Sequence, residues 1–411
     1  MHTEISASPN SPTRAVADSA RASLLSRLWP WLAAVTSGVL LSLCFPGFNQ
    51  GWLIWVALTP LICAVWLGGA KRGDGTRGSF PRPFALGYLT GFIFVGVTFR
   101  WLVELAPLFR TPWLQGLPIL LAFYMALYPA TWTWLLTKLP FGERPFRSPW
   151  RNLAIGVLGA CIWTALEWTR GWLFSGWGWN GLGIALHEDL AMIQIADFAG
   201  VLGLTWLVAF CNLMAVIVVR RIVLEFGPQF MNGIRWEFSL TMALLALVFG
   251  YGVRTLFQGA GKTTPLQAVA LQPNIPQTQK FDPDGEDEIL RQLDKLTGAA
   301  ALLHPPARLV VWPEAATPRG MFADEVNYRF VMDQAARGDF TLLLGTLDYE
   351  LDPAAPESPR QYNAAMLLSE KGKTRSVYRK MHLVPFGEYL PLRQLLPQAI
   401  GDLVPGDLDA G

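Results

Sequence analysis

Charged residues, cysteine and histidine are all scarce in this sequence. Of its 411 residues only 16% are charged, and cysteine and histidine occur four times each. The cysteines stand singly in or beside apolar runs and the histidines are scattered, so their spacing indicates neither a disulfide framework nor a metal site. The net charge of +2 at pH 7 is a small excess over 33 basic residues, which excludes the broad basic field that binds nucleic acid. We therefore expect no metal and no nucleic acid partner.

Hydrophobic residues, in contrast, make up 52% of the chain, a composition typical of membrane proteins. A helix needs about 20 mainly apolar residues to cross the hydrocarbon core of a bilayer. Seven segments have this pattern, the first and fifth of them short: 29–45, 52–69, 84–104, 113–137, 152–169, 191–219 and 238–257. The sequence predicts a polytopic α-helical membrane domain over residues 29–258, preceded by a polar, disordered arm over residues 1–28.

The basic residues between the spans are unevenly distributed, and cytoplasmic loops are known to carry the excess of Lys and Arg. Only Arg110 and Arg170 fall in the connections that follow the first, third and fifth spans. The N-terminal segment and the remaining connections hold fourteen basic residues: Arg14, Arg21, Arg27, Lys71, Arg72, Arg77, Arg82, Lys138, Arg144, Arg147, Arg151, Arg220, Arg221 and Arg235. This bias predicts a cytoplasmic N-terminus. Seven crossings of the bacterial inner membrane then place everything after about residue 258 on the periplasmic side.

From about residue 264 the sequence changes to short apolar runs that alternate with amphipathic segments. This pattern predicts an α/β domain over residues 264–411. Four strands and two helices are expected in it: strands at 265–272, 308–312, 340–346 and 361–369, and helices at 284–303 and 322–337.

Two motifs of this domain place carboxylates and a lysine where they can act together. Pro313-Glu314 directly follows the predicted strand 308–312, at the edge where active sites of open α/β sheets gather. A cap of the next helix is an equally good interpretation of Glu314. Further along, Lys380 and Glu388 lie on either side of Pro385-Phe386-Gly387, a turn that can bring both beneath a reacting carbonyl. A surface lysine beside a turn is the simpler alternative for this second motif.

Taken together, these motifs resemble a known signature. The segments 312–314 (WPE) and 385–389 (PFGEY), with Lys380 between them, resemble the Glu-Lys-Cys signature of the nitrilase superfamily. The seven spans, with the segments 167–172 (EWTRGW) and 272–277 (QPNIPQ), resemble the apolipoprotein N-acyltransferase family in particular. The resemblance covers nearly everything from residue 29 onward, and it implies a nitrilase-like α-β-β-α sandwich for the second domain.

The resemblance also implies a role for each of these polar residues. Glu314 is expected to be the general base, and Lys380 the cation that stabilises the tetrahedral oxyanion. Glu388 is expected to keep Lys380 charged and oriented. Aromatic side chains are expected to contact the substrate: Trp312, Phe386, Tyr389 and Phe281. For Phe281, a place on a mobile lid and packing in the core are equally good interpretations.

By the same resemblance, the chain moves an acyl group from a phospholipid to an enzyme cysteine, and then to the N-terminal cysteine amine of a diacylated lipoprotein. The bilayer supplies both partners, and no cofactor is needed. Two alternatives stay open: a membrane-anchored amidase that uses water as acceptor, and a catalytically inactive membrane scaffold. The family's nucleophilic cysteine lies after the Gly-Glu-Tyr motif, whereas no cysteine follows Cys211 here. We therefore expect the second domain to be incomplete at its C-terminus and these 411 residues to be inactive.

The charge bias leads to a prediction of topology. A reporter that is active only outside the cytoplasm should be active when it is fused near residue 262. The same reporter should be inactive near residues 75, 145 or 230, because these positions lie in connections rich in Lys and Arg. Measuring the four fusions in intact cells checks the assignment, and a cytoplasmic signal at residue 262 would contradict it.

Overall fold

The fold is taken from a computed structural model of the chain, which contains two compact units, Met1–Gly259 and Ala260–Gly411. The structure describes these residues: 12–68, 81–108, 112–139, 148–224, 236–259, 261, 263–280, 283–303, 306–317, 319–322, 324–352, 355–369, 373–385, 387–390, 393 and 407–411.

The first unit is helical. Its helices are α1 (Pro12–Leu43), α2 (Thr59–Leu67), α3 (Pro81–Thr98), α4 (Leu105–Leu108), α5 (Leu117–Met125), α6 (Leu127–Leu136), α7 (Pro149–Arg170), α8 (Ala196–Leu224) and α9 (Trp236–Gln258). Each of the seven apolar segments predicted from the sequence coincides with helical structure. Helix α1 begins within the segment 1–28 that was expected to be disordered, because Ala, Leu and Arg, which favour helix, are frequent before the apolar run. Residues 1–11 lie outside the described part of the chain.

Among the described residues, three helical segments are long and apolar enough to cross a membrane, judged by length and composition. They are Leu114–Leu136, Met192–Ile222 and Trp236–Gln258, and a shorter apolar helical segment covers Gly51–Leu67. The helical membrane part of the predicted fold is therefore confirmed. Seven crossings, and the exact limits of the membrane domain, stay predictions.

Glycines allow α3 to approach its neighbours closely. A Cβ atom on Gly87 would lie 2.2 Å from the Thr133 hydroxyl of α6, and one on Gly91 would lie 2.8 Å from the Cα of Ala126. Small residues at such crossings let helix backbones pack together where no water drives their association. Further along, Gly200 (φ 62°) supplies the left-handed conformation at a kink within α8.

A cluster of polar side chains in the first unit is buried between helices. Glu237 of α9 is fully buried, forms an ion pair with Arg221 of α8 and accepts a hydrogen bond from the Asn152 amide of α7 at 3.2 Å. This cluster joins three helices. A charge in an apolar region is stable only with such partners, because its lost hydration must be replaced.

Two polar residues of α7 hold the glycine-rich loop that follows it. The Glu167 carboxylate accepts hydrogen bonds from the Thr205 hydroxyl at 2.6 Å and from the backbone N–H of Leu182 at 3.2 Å. Arg170 donates to the Trp179 carbonyl at 3.0 Å. Both side chains therefore bind the loop.

The second unit is an α/β domain. Its strands are β1 (Ala268–Ala270), β2 (Leu309–Val311), β3 (Thr341–Asp352), β4 (Ala355–Leu368) and β5 (Thr374–Arg379), and its helices are α10 (Gln277–Lys280), α11 (Glu286–Ala301) and α12 (Glu325–Ala335). The strands form one mixed sheet in the order β1-β2-β3-β4-β5. The first three are parallel, and β4 and β5 are antiparallel to their neighbours.

One hydrophobic core joins this sheet to α11 and α12. Helix α11 buries Ile289, Leu293 and Ala300, a helical spacing that turns one face to the sheet, where Val310 and Leu342 are fully buried. All four predicted strands and both predicted helices are present, so the α/β part of the predicted fold is also confirmed. Strand β5 was not predicted, and the expected incompleteness of the domain stays a prediction.

Candidate active site

Glu314 lies on a tight turn directly after β2. The Trp312 N–H donates to the Leu343 carbonyl at 2.8 Å and the Ala316 N–H to the Gly345 carbonyl at 2.9 Å, so the turn is held against β3. Ala315 has a positive φ of 45°, and Gly345 provides the room for the turn. A Cβ atom on Gly345 would lie 2.6 Å from the Cα of Glu314, so a larger residue there would displace the carboxylate.

Lys380 follows β5 and reaches both carboxylates. Its Nζ lies 3.3 Å from Glu314 Oε1 and 2.9 Å from Glu388 Oε1. The Lys380 N–H donates to the Asn363 carbonyl of β4 at 2.8 Å, which ties the end of β5 to the sheet. The three residues that the sequence singled out as catalytic are thus brought together by strands and turns far apart along the chain.

Asn363 completes the cluster. Its side-chain amide donates to Glu314 Oε1 at 2.5 Å and to Glu388 Oε1 at 2.7 Å. Both Lys380 and Asn363 therefore donate to both carboxylates. Four short contacts from two donors fix the separation of Glu314 and Glu388, which would repel each other if they were left unpaired.

Glu388 is held more tightly than Glu314. Its Oε2 accepts the Val384 N–H at 2.7 Å, and its own N–H donates to the Val384 carbonyl at 2.9 Å. The Glu388 side chain is only 14% exposed, whereas the Glu314 side chain is 64% exposed. Glu388 is thus a fixed partner of Lys380, while Glu314 is the carboxylate that an incoming group can reach.

The electrostatics keep Lys380 positive and Glu388 negative. Burial by itself would lower the pKa of Lys380, but the hydrogen bond to Glu388 and the charge of Glu314 outweigh it and raise that pKa above its usual value. For Glu388, burial would raise the pKa, and the hydrogen bonds from Lys380, Asn363 and the Val384 N–H together lower it. Both groups are charged near neutral pH, which is the state that an oxyanion-binding cation requires.

The predicted aromatic contacts have different positions. Trp312 is buried at 3% exposure and packs against Phe330, with ring centroids 6.1 Å apart, which favours a role in the core over direct substrate contact. Tyr389 is partly exposed next to Glu388. Phe281 and Phe386 lie outside the described residues, so their predicted roles stay predictions.

The structure adds residues that the sequence analysis did not select. Asn363 has one sequence signal, since it is a polar residue inside the predicted strand 361–369, and Gly345 has none beyond being a glycine in a strand. The alternative that Glu314 caps the next helix is not supported, because α12 begins at Glu325 and is capped by Asp324. In the described part of the chain, no group of three or more His, Cys, Asp or Glu residues is placed to hold a metal ion.

Family comparisons match both units. The model of the apolipoprotein N-acyltransferase N-terminal domain matches residues 37–214, and the carbon-nitrogen hydrolase model matches residues 270–407. The second match begins at the last residue of β1 and contains β2 to β5 and the cluster of Glu314, Lys380 and Glu388. By fold and by comparison, this unit is a carbon-nitrogen hydrolase domain that follows a helical membrane region.

Curated relatives are similar over most of the chain. A protein of Geobacter metallireducens named apolipoprotein N-acyltransferase is 32% identical over 387 residues, covering 92% of this chain and 69% of its own length. Relatives of the same name from Rhodopseudomonas palustris and Methylococcus capsulatus are 28% and 30% identical, and 67% and 65% of their lengths are covered. The chain belongs to the apolipoprotein N-acyltransferase family of membrane proteins, and it spans about two thirds of the length of these relatives.

The contacts of Lys380 predict how Glu388→Gln changes its titration. Loss of the carboxylate charge should lower the pKa of Lys380, so its ammonium should lose its proton at a lower pH than in the unchanged chain. Competitive acetylation across a pH series, read by mass spectrometry, measures the reactivity of each lysine. Lys295, on the exposed side of α11, is the internal control whose curve should not move. An unchanged curve for Lys380 would contradict the assigned role of Glu388.

The same pKa shifts define the pH range in which the pair of Lys380 and Glu388 stabilises the folded domain. Because the pKa of Glu388 is lowered on folding, its stabilising contribution is present above the usual glutamate pKa and is lost as the pH falls. Because the pKa of Lys380 is raised, its contribution is present below the usual lysine pKa and is lost at more alkaline pH.

Proposed function

We propose that this chain is the apolipoprotein N-acyltransferase of its organism. It moves an acyl chain from a phospholipid to the N-terminal cysteine amine of a diacylated lipoprotein, through a cysteine thioester. The observation that carries the proposal is the position of the Lys380 ammonium between two carboxylates. Its Nζ lies 3.3 Å from Glu314 Oε1 and 2.9 Å from Glu388 Oε1. The names and the extent of the relatives support the acyltransferase over the amidase and the scaffold.

Each residue has a part in the first half-reaction. Glu314, the exposed carboxylate, takes the proton of the thiol, and the thiolate attacks the ester carbonyl of the phospholipid. Lys380 donates to the oxyanion that forms. As the tetrahedral intermediate collapses, the acyl–oxygen bond breaks and the lysophospholipid oxygen takes the proton back from Glu314. The acyl group is left on sulfur.

The second half-reaction uses the same groups in the same order. The lipoprotein amine attacks the thioester, Glu314 accepts the amine proton, and Lys380 again stabilises the oxyanion. The acyl–sulfur bond breaks, the new bond is an amide, and the departing sulfur takes the proton from Glu314, which regenerates the thiol and the carboxylate. Exposed apolar side chains, among them Met381 and Val384, flank the polar cluster and suit a substrate with acyl chains.

The nucleophilic thiol belongs to the same proposal. The four cysteines at positions 44, 63, 161 and 211 are all in the first unit, and the second unit has none. We propose that the thiol is supplied by residues beyond Gly411. In support, the Gly411 N–H donates to the Lys380 carbonyl at 2.9 Å, so Gly411 lies next to the site.

Orientation and domain limits complete the proposal. An N-terminal arm (1–28) and a seven-helix domain (29–258) precede the catalytic domain (264–411), which faces the periplasm from the inner membrane. The bias of basic residues toward alternate connections supports this orientation. Phospholipid donor and lipoprotein acceptor both meet the enzyme at the outer leaflet.

In the protein expressed from its complete gene, Glu314→Gln should lower the rate of acyl transfer by about 10²–10⁴, because an amide cannot accept the proton. Lys380→Met should have a comparable effect through loss of the oxyanion-stabilising cation. The measurement is transfer of a labelled acyl chain from phospholipid to a lipoprotein peptide. Glu325→Gln is the matched control, since Glu325 is an exposed surface residue of α12. Near-normal turnover in Glu314→Gln would remove it from the role of base.

A second prediction concerns the thioester. The 411-residue chain should take up no label from a labelled phospholipid, whereas the protein expressed from its complete gene should form an adduct that neutral hydroxylamine releases. A carboxylate or an ammonium cannot replace a thiolate as the nucleophile that makes a thioester. Label on the 411-residue chain that is lost when one of its four cysteines is changed to serine would overturn the proposed position of the nucleophile.

A further inference from the structure

A second lysine reaches the turn that carries the base. Lys280 is the last residue of α10, and its Nζ donates to the backbone carbonyl of Glu314 at 3.0 Å. The helix end is held by the N–H groups of Gln279 and Lys280, which donate to the Pro276 carbonyl at 2.9 and 3.1 Å. The Lys280 ammonium thus contacts the backbone of the residue whose carboxylate accepts the proton. It comes from a different element than Lys380.

The charge of the cluster explains why a second cation matters there. Lys380 faces the two carboxylates of Glu314 and Glu388, and these three residues together carry one net negative charge. A phospholipid brings a further negative charge on its phosphate. The short glycerol unit holds this phosphate close to the ester that reacts. Like charges held this close oppose binding, and a lysine ammonium is a common partner of phosphate.

We propose that Lys280 binds the phosphate of the phospholipid acyl donor while the donor's ester carbonyl lies at Lys380 and Glu314. The inference rests on the proposed function and names the group that selects a phosphate-bearing donor at the same site. Lys280 donates to the backbone carbonyl of Glu314, which places its ammonium beside the residue where the ester would react. A phosphate bound there would set the distance from the headgroup to the reacting ester.

A purely structural role makes a different prediction. If Lys280 served only to hold the carbonyl of Glu314, its loss would misplace the base for every donor alike. If it binds phosphate, its loss should weaken only donors that carry one. Two donors with the same acyl chains, a phosphatidylglycerol and the uncharged diacylglycerol, therefore separate the two roles.

The experiment uses the protein expressed from its complete gene, in detergent micelles that contain one donor at a time, and measures formation of the acyl-enzyme. Lys280→Gln should lower kcat/KM for phosphatidylglycerol about tenfold through KM, as expected for loss of one charge-assisted hydrogen bond. The value for diacylglycerol should stay within about twofold. Lys280→Arg should restore most of the loss, and Lys295→Gln is the matched control on the surface of α11.

The outcomes decide between the roles. An equal loss with both donors, or no loss with either, overturns phosphate binding by Lys280. If diacylglycerol is a poor donor even for the unchanged protein, inhibition of acyl-enzyme formation by glycerol 3-phosphate decides. This inhibition should weaken in Lys280→Gln. Equal inhibition of the variant and the unchanged protein would overturn the inference. Inhibition by inorganic phosphate as strong as that by glycerol 3-phosphate would overturn the headgroup assignment. An unchanged protein that is inactive with every donor would instead contradict the proposed function itself.

Discussion

The site depends on one ammonium group held between two carboxylates. Lys380 is partly buried, and a buried cation is stable only when opposite charges and hydrogen bonds replace its hydration. Glu388 provides this from a turn that its own backbone closes, and Glu314 provides it from a turn held against β3. The parallel pairing of β2 with β3, the room at Gly345 and the register of β4 all serve to bring these groups to one point.

The same constraint acts in the helical unit, where its purpose is structural. Glu237 with Arg221 and Asn152 joins three helices, and Glu167 with Thr205 ties a glycine-rich loop to α7 and α8. In both units a buried carboxylate is paired with donors from other elements, since no single helix or turn supplies them all. The difference lies in access. Glu237 of the helical unit is enclosed, whereas Glu314 is exposed to an incoming group.

The sequence was sufficient where the signal is local. A carboxylate after a buried strand, a lysine and a glutamate around a turn, and apolar segments about 20 residues long can each be recognised within a short window. Strand β5, Asn363 and Lys280 could not be recognised in this way, because their importance comes from contacts made by residues far apart along the chain. Asn363 belongs to the site only because β4 lies antiparallel to β3 with Asn363 opposite Leu347. Pairing of this kind is decided by the whole sheet.

The unequal exposure of the two carboxylates favours different roles for them: Glu314 can exchange a proton with an incoming group, whereas Glu388 keeps its charge. In the proposed mechanism, Glu314 loses its negative charge when it takes a proton from the nucleophile, and the substrate carbonyl gains a negative charge as the oxyanion forms. The total charge around Lys380 is therefore unchanged, and the ammonium exchanges one anionic partner for another. Glu388 is enclosed and bound by three donors, so it keeps its charge throughout. It therefore holds Lys380 in place when Glu314 becomes neutral. An electrostatic site that needs so little rearrangement is already organised for the transition state before the substrate arrives.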